Sequence, residues 1–306
     1  MTTVPRWMRI VFLANLVAQT AIVITGAVVR LTGSGLGCPT WPECVDGSYV
    51  PVARQAEAWH KYVEFGNRTL TFALAVVAVL TLIAAVMFTV RRARAGETLR
   101  YSILWLGIAP IAGTFAQAIL GGITVLTGLN PATVGMHFLL SISLIAAAVA
   151  LVVRSRDADD LPLVFLVRPE VRRYTWALIV VTGLVVIMGV ITTGSGPHSG
   201  DAKSELRFPF DPRTVSWLHA DIVLLFIGML IGYLILLRVT SAPSRTWRNA
   251  LTLVVITVLQ ACVGYTQYFT GLPVLVVTLH VTLACLLWVT VLFLPSSLRT
   301  RGEVGV

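Results

Sequence analysis

Residues 117–137 read QAILGGITVLTGLNPATVGMH, and residues 260–280 read QACVGYTQYFTGLPVLVVTLH. Each stretch lies inside a run free of charged residues, Tyr101–Val153 and Asn249–Leu298. Either run is more than twice the roughly 20 residues that a helix needs to cross a bilayer, so each must fold back on itself as a hairpin. The breaks fall at Thr127-Gly128-Leu129-Asn130-Pro131 and Thr270-Gly271-Leu272-Pro273, where glycine and proline supply turn chemistry.

Working outward, four further charge-free runs occur at Ile10–Val29, Thr69–Val90, Tyr174–Thr193 and Ile222–Leu237, and the total becomes eight transmembrane helices. The composition agrees. Of 306 residues 57% are hydrophobic and 12% charged, with a mean hydropathy of +0.85, which excludes an ordinary soluble domain and intrinsic disorder. Eight spans leave no room for a large soluble domain. Arg6 and Arg9 precede the first run, but no small-residue cleavage site follows it, so it is expected to remain as helix 1 rather than leave as a signal peptide. Of the 23 Lys and Arg residues, 16 fall on the side of both termini: Arg6, Arg9, the 91–100 and 154–173 loops, Arg238, Arg245, Arg248, Arg299 and Arg301. The positive-inside rule makes that side cytoplasmic in a cell membrane. The net charge of +9 is then a topology signal and a contact for anionic lipid, not a nucleic-acid footprint.

The two opening stretches align without a gap at an offset of 143 residues. Gln117-Ala118 falls on Gln260-Ala261, Gly121 on Gly264, Thr127-Gly128-Leu129 on Thr270-Gly271-Leu272, and His137 on His280. A second match pairs Thr32-Gly33-Ser34-Gly35 with Thr193-Gly194-Ser195-Gly196, just after helices 1 and 5. The chain is therefore expected to be an all-α membrane protein of two repeated four-helix bundles, residues 1–153 and 174–306, joined by a cytoplasmic linker over 154–173. Four-helix bundles hold cofactors between facing helices, so a duplicated bundle predicts two related sites.

Four of the five histidines, His60, His137, His219 and His280, fall in or beside the spans. An ionisable group there is a functional candidate, because burial in hydrocarbon costs free energy. His137, His219 and His280 each lie about 8–10 Å along the helix below the outer entry, at one level. In the C-terminal half His219 and His280 can then face each other across one bundle, the geometry of bis-histidine haem ligation. The plainer reading is helix-packing histidines bonded to Ser or Thr. Zinc fits less well, since no third or fourth ligand shares the level. In the N-terminal half the position matching His219 is Asn67. His60, Glu64 and Asn67 follow i, i+4, i+7 spacing, so a histidine, a carboxyl group and an amide share one helix face that is expected to point at the space beside His137. Glu64 so placed suits proton transfer; the plainer alternative is a Glu64–Arg68 pair.

The first outer loop reads TGSGLGCPTWPEC over residues 32–44. Cys38 and Cys44 sit in an oxidising compartment and can form a disulfide, either a staple or a redox group. Cys262 and Cys285 lie within spans and are expected to be core residues, and His198 of the loop after helix 5 is expected not to ligate. Arg54, Lys61, Lys203, Arg207 and Arg213 are outer basic residues able to meet the carboxylates of an anionic ligand, as haem propionates would be.

Gly26-Ala27-Val28-Val29-Arg30-Leu31 running into that loop, then Glu64 before Asn67-Arg68, then the three deeper histidines, resembles the haem A synthase family over nearly the whole chain. The resemblance implies an eight-helix enzyme that oxidises the C8 methyl group of haem O to a formyl group, supplying haem A to cytochrome oxidase. It implies haem b between His219 and His280, the substrate haem O near His137, Glu64 managing protons, and Asn67 and Arg68 beside the haem. Partners it suggests are haem O synthase and oxidase assembly factors, with a homo-oligomer compatible. Two positions depart from the family. Its helix-2 pattern Glu-x-x-His-Arg here carries Asn67, leaving His60, about 10 Å along the helix, as the substitute ligand if the haem sits shallower. Some members also have a second cysteine pair between helices 5 and 6, absent here. A di-haem b-type electron carrier is the alternative function, and a repeat-built transporter a third.

Overall fold

The computed structural model describes residues 3–157, 161–198, 200, 201 and 206–301. Eight helices, each long and apolar enough to cross a membrane, follow in order: α1 (Arg6–Leu31), α2 (His60–Arg94), α3 (Tyr101–Leu126), α4 (Pro131–Arg156), α5 (Pro169–Ser195), α6 (Pro212–Val239), α7 (Ser244–Phe269) and α8 (Val274–Ser297). Two three-residue strands, β1 (Leu163–Phe165) and β2 (Arg299–Arg301), pair antiparallel. The expected all-α, eight-span architecture is present.

Both long runs break where glycine and proline placed the turns, and with one backbone geometry. Gly128 and Leu129 take φ of 62° and 63°, Gly271 and Leu272 φ of 77° and 61°. The Leu129 N–H reaches back to the Thr124 carbonyl at 2.9 Å and the Leu272 N–H to the Gln267 carbonyl at 2.8 Å, satisfying carbonyls that a helix end leaves open. After the first turn Asn130 caps α4, its side chain accepting from the Ala132 N–H at 2.9 Å, and Pro131 occupies the first helical position. Asp211 caps α6 in the same way, accepting from the Thr214 N–H at 2.8 Å. That cap begins α6 ten residues before the apolar run at Ile222 and so brings His219 inside the helix.

Helix α1 packs on α2 and α4, and α3 on α2 and α4, closing a ring around a core that includes Met8, Phe12, Phe88 and Ile145. Helix α5 packs on α6 and α8, and α7 on α8, around Leu178, Phe226, Tyr233 and Val291. Glycines set the closest approaches: a Cβ on Gly107 would lie 2.4 Å from that of Ala85, and one on Gly113 2.2 Å from Leu144 Cδ2. The α6–α7 seam is looser and leaves an open apolar groove of about 470 Å³ between residues such as Leu230, Val254 and Cys262. Large side chains such as Phe72 and Leu275 face outward, as they would in lipid.

Helices α4 and α8 join the two sets through contacts with α5 and α1, and the loops tie them at one end. There the Gly35 N–H donates to the Gly200 carbonyl at 2.7 Å, and Arg30 donates to the carbonyls of His198 at 2.8 Å and Thr193 at 3.1 Å.

Candidate functional site

Three histidines sit in matching surroundings. His137 on α4, His219 on α6 and His280 on α8 each press their ring edge against a glycine of the preceding helix. A Cβ on Gly121 would fall 3.3 Å from His137 Cε1, one on Gly189 3.4 Å from His219 Cε1, and one on Gly264 3.3 Å from His280 Cε1. The Nδ1 of all three rings is buried with no hydrogen-bond partner. Leaving such an atom unpaired costs about 1–3 kcal/mol, so the plainer expectation of rings satisfied by Ser or Thr is not what these Nδ1 atoms show. Helices α6 and α8, which carry His219 and His280, both pack on α5 and α7 and do not pack closely on each other.

The glutamines of the repeated stretch then part ways. Gln117 Nε2 donates to the His137 carbonyl at 3.0 Å and to Ser141 Oγ at 2.6 Å. Gln260 Nε2 lies 3.2 Å from His280 Nε2 instead. The residue 143 positions after Ser141 is Ala284, so the second glutamine has no hydroxyl to hold it and meets the ring.

In the other set of helices, Glu64 is a buried carboxylate whose bonds reach the loop between α1 and α2. Its Oε2 accepts from the Cys38 N–H at 2.7 Å, and its Oε1 accepts from Arg68 at 2.6 and 3.0 Å. Arg68 in turn donates to the carbonyls of Cys38 at 2.9 Å, Thr40 at 3.1 Å and Glu43 at 3.2 Å. Cys38 and Cys44 are joined as a disulfide, so the acid–arginine pair clamps a closed ring onto α2. From that ring Trp41 lies on Gly122, where a Cβ would come within 2.6 Å of the indole, one residue from the glycine that faces His137.

The face shared by His60, Glu64 and Asn67 forms part of α2, but the three side chains take different partners. His60 Nδ1 lies 2.9 Å from Ser34 Oγ. Asn67 Oδ1 accepts from Thr25 Oγ1 of α1 at 2.7 Å. None of them hydrogen-bonds to the His137 ring. The Glu64–Arg68 pair, the plainer of the two expectations for that acid, is formed.

Among the outer basic residues, Lys61 is buried and donates to the carbonyls of Val52 at 2.7 Å and Ala53 at 3.1 Å, which removes it from the set able to meet an anionic ligand. Arg213 stacks over Trp217, Arg207 donates to the Pro197 carbonyl, and Arg54 is exposed. Lys203 lies outside the described residues. His198 Nε2 bonds the Leu272 carbonyl at 3.0 Å. Cys285 is buried and Cys262 exposed at the α6–α7 seam, so only the first is a core residue.

Sequence reasoning missed Gly189, Trp41 and Arg30. Gly189 stands outside the aligned stretches, and its signal, one small residue on an apolar helix, has meaning only once α5 and α6 are paired. Among the described residues no group of three or more His, Cys, Asp or Glu is arranged to hold a bare metal ion. A porphyrin iron asks less of the protein: the macrocycle gives four nitrogens, leaving one or two axial positions that single histidines can fill.

Comparisons with known proteins identify the family. The family model described as cytochrome oxidase assembly protein matches residues 8–292. The heme A synthase of Listeria monocytogenes serotype 4a is 26% identical over 307 aligned positions, covering 94% of this chain and 92% of the relative. That of Bacillus licheniformis is 24% identical, covering 94% and 95%. A third, from Lysinibacillus sphaericus, is 29% identical over 193 positions, 61% of this chain and 58% of its own length. With the matched model spanning nearly its full length, the chain belongs to the haem A synthase family of cytochrome oxidase assembly proteins.

Proposed function

We propose that this protein oxidises the C8 methyl group of haem O to a formyl group and so makes haem A. The observation that carries the proposal is the set of three half-buried histidines, each cradled by a glycine of the preceding helix, in a chain of this family. His219 and His280 hold haem b through its iron, and His137 holds the iron of the substrate haem O. When bound, these haems supply the redox chemistry, which belongs to the iron and its oxidant. The protein's own residues do the rest. Gly121, Gly189 and Gly264 fix the azimuth of each ring, and Gln260, which meets His280 at Nε2, has to give up that contact for the ring to hold the iron. Glu64 takes or gives a proton at its carboxyl group and Arg68 orients it. Asn67, held by Thr25, lines the site without ligating, and His60, held by Ser34, is the reserve ligand. Trp41 and the disulfide ring cover the site from the outer side and exclude water. The two bundles act as the substrate half, 1–153, and the haem b half, 174–306, in a cell membrane with both termini cytoplasmic and the cysteine loop outside.

The test is to express the chain with a source of haem O, purify it, and identify the acid-extracted haems by reversed-phase chromatography and mass. Haem b together with haem A or its hydroxylated precursor is expected. In a His280→Ala variant haem b should fall to near zero. Haem b alone in the wild type, despite available haem O, overturns the assignment in favour of the electron carrier, and no haem at all favours the transporter.

A further inference from the structure

At the opposite end from the disulfide loop, where α4 and α8 finish, strand β1 of the 154–173 linker pairs with β2 just after α8. A cavity of about 240 Å³ opens beside this pair. It is lined by Arg156 from α4, Arg245 from the first turn of α7, and Arg299 and Arg301 of β2, together with the acid Asp157 and the apolar Val153 and Phe293. One carboxylate oxygen, Oδ2 of Asp157, is shared by three guanidinium groups, Arg299 at 2.9 Å, Arg154 at 3.3 Å and Arg301 at 3.8 Å. Arg156 and Arg245 make no ion pair or hydrogen bond among the described residues.

The positive-inside tendency accounts for arginines on this face, but not for four of them converging from three elements on one cavity that Val153 and Phe293 also line. Guanidinium groups match phosphate oxygens in geometry and charge. Basic pockets between spans at this level suit anionic lipid headgroups. We propose that the cavity binds the phosphate of an anionic phospholipid, with an acyl chain lying along Val153 and Phe293. The lipid then bridges α4 to α7, α8 and β2, and holds together the end of the molecule that the disulfide loop does not reach. This site is separate from the haem chemistry and stands whether or not that chemistry is as proposed.

The test titrates purified full-length protein in neutral detergent with short-chain phosphatidylglycerol, following the rise in thermal midpoint. Phosphatidylcholine of the same chain length and sodium phosphate serve as the other two probes. Phosphatidylglycerol is expected to stabilise the wild type and the other two to have no effect. Arg156→Gln with Arg245→Gln, both exposed and without protein partners, should weaken the response about 30-fold, and Arg245→Gln alone about 5-fold. Arg91→Gln with Arg94→Gln removes the same charge from the same face, away from the cavity, and should leave the response unchanged. The proposal is overturned if the cavity variants follow the wild type, if the Arg91/Arg94 variant weakens the response equally, or if phosphatidylcholine stabilises as well. Equal stabilisation by sodium phosphate also overturns it, in favour of a free anion.

Discussion

Glu64 is the residue whose two roles most need separating. Replacing it with alanine leaves the Arg68 guanidinium and the Cys38 N–H without their buried partner, a loss of roughly 3 kcal/mol of stability by itself. Glutamine keeps one acceptor, for the Cys38 N–H or for Arg68 but not both, and removes the charge and the titratable group at nearly the same volume. If Glu64 manages a proton, Glu64→Gln retains haem b while product falls on the order of 100-fold. Extraction and quantitation of both haems checks this, and normal product from the glutamine variant would reduce Glu64 to a clamp for the loop. The spacing of His60, Glu64 and Asn67 was legible from sequence because a helix register follows from chain position alone. Their partners were not, since Ser34, Cys38 and Thr25 come from a loop and a helix whose approach is set by packing.

At the scale of the helix pair, the site depends on glycines that let a ring lie against a neighbouring backbone. A methyl group on Gly264 meets His280 Cε1 at 3.3 Å, so the ring must give by a few tenths of an ångström; valine pushes it out of place. Gly264→Ala is expected to lower haem b occupancy modestly and Gly264→Val to abolish it, with overpacking costing about 1–3 kcal/mol. Gly228→Ala on α6, where a Cβ has open space, is the control and should match the wild type in occupancy by pyridine haemochrome assay. Equal loss in the control would mean that helix glycines in general, not the ring cradle, set occupancy. The hairpins were readable at this scale because Thr-Gly-Leu carries its own turn geometry, with the two positive φ values that end each helix. The charge-free run at Ile222 begins ten residues after the α6 start because those residues include Arg213 and Asp221, while the Asp211 cap sets the beginning and leaves His219 two turns inside the helix, as its expected depth requires.

For the whole molecule, the disulfide ring is the piece whose removal tests how the outer face is held. Cys38→Ser with Cys44→Ser opens a short loop, worth about 2 kcal/mol in chain entropy. Because Glu64 and Arg68 still grip the loop backbone, the expected result is a lower thermal midpoint with haem b retained. Haem A yield then decides the role of the pair: a yield unchanged from wild type sinks a redox function, and its loss in folded protein supports one. Arg30, bonded to the carbonyls of Thr193 and His198, is the matching tie between the two loop systems.

Sequence by itself determined the number of spans, the hairpin positions, the arginine-rich face and the three histidines, because each follows from hydrocarbon excluding charge or from turn chemistry local in the chain. Tertiary structure alone decided which side chain meets which. Gly189 lies beside His219, Trp41 over Gly122, and Gln260 but not Gln117 against a histidine ring. It also gathered Arg156, Arg245, Arg299 and Arg301 around one cavity from parts of the chain up to 145 residues apart. Such meetings depend on the rotation of each helix about its axis. In an apolar sequence that rotation is set largely by small-residue packing between neighbours, and the hydrophobic pattern, nearly uniform around α2, α5 and α8, does not encode it there.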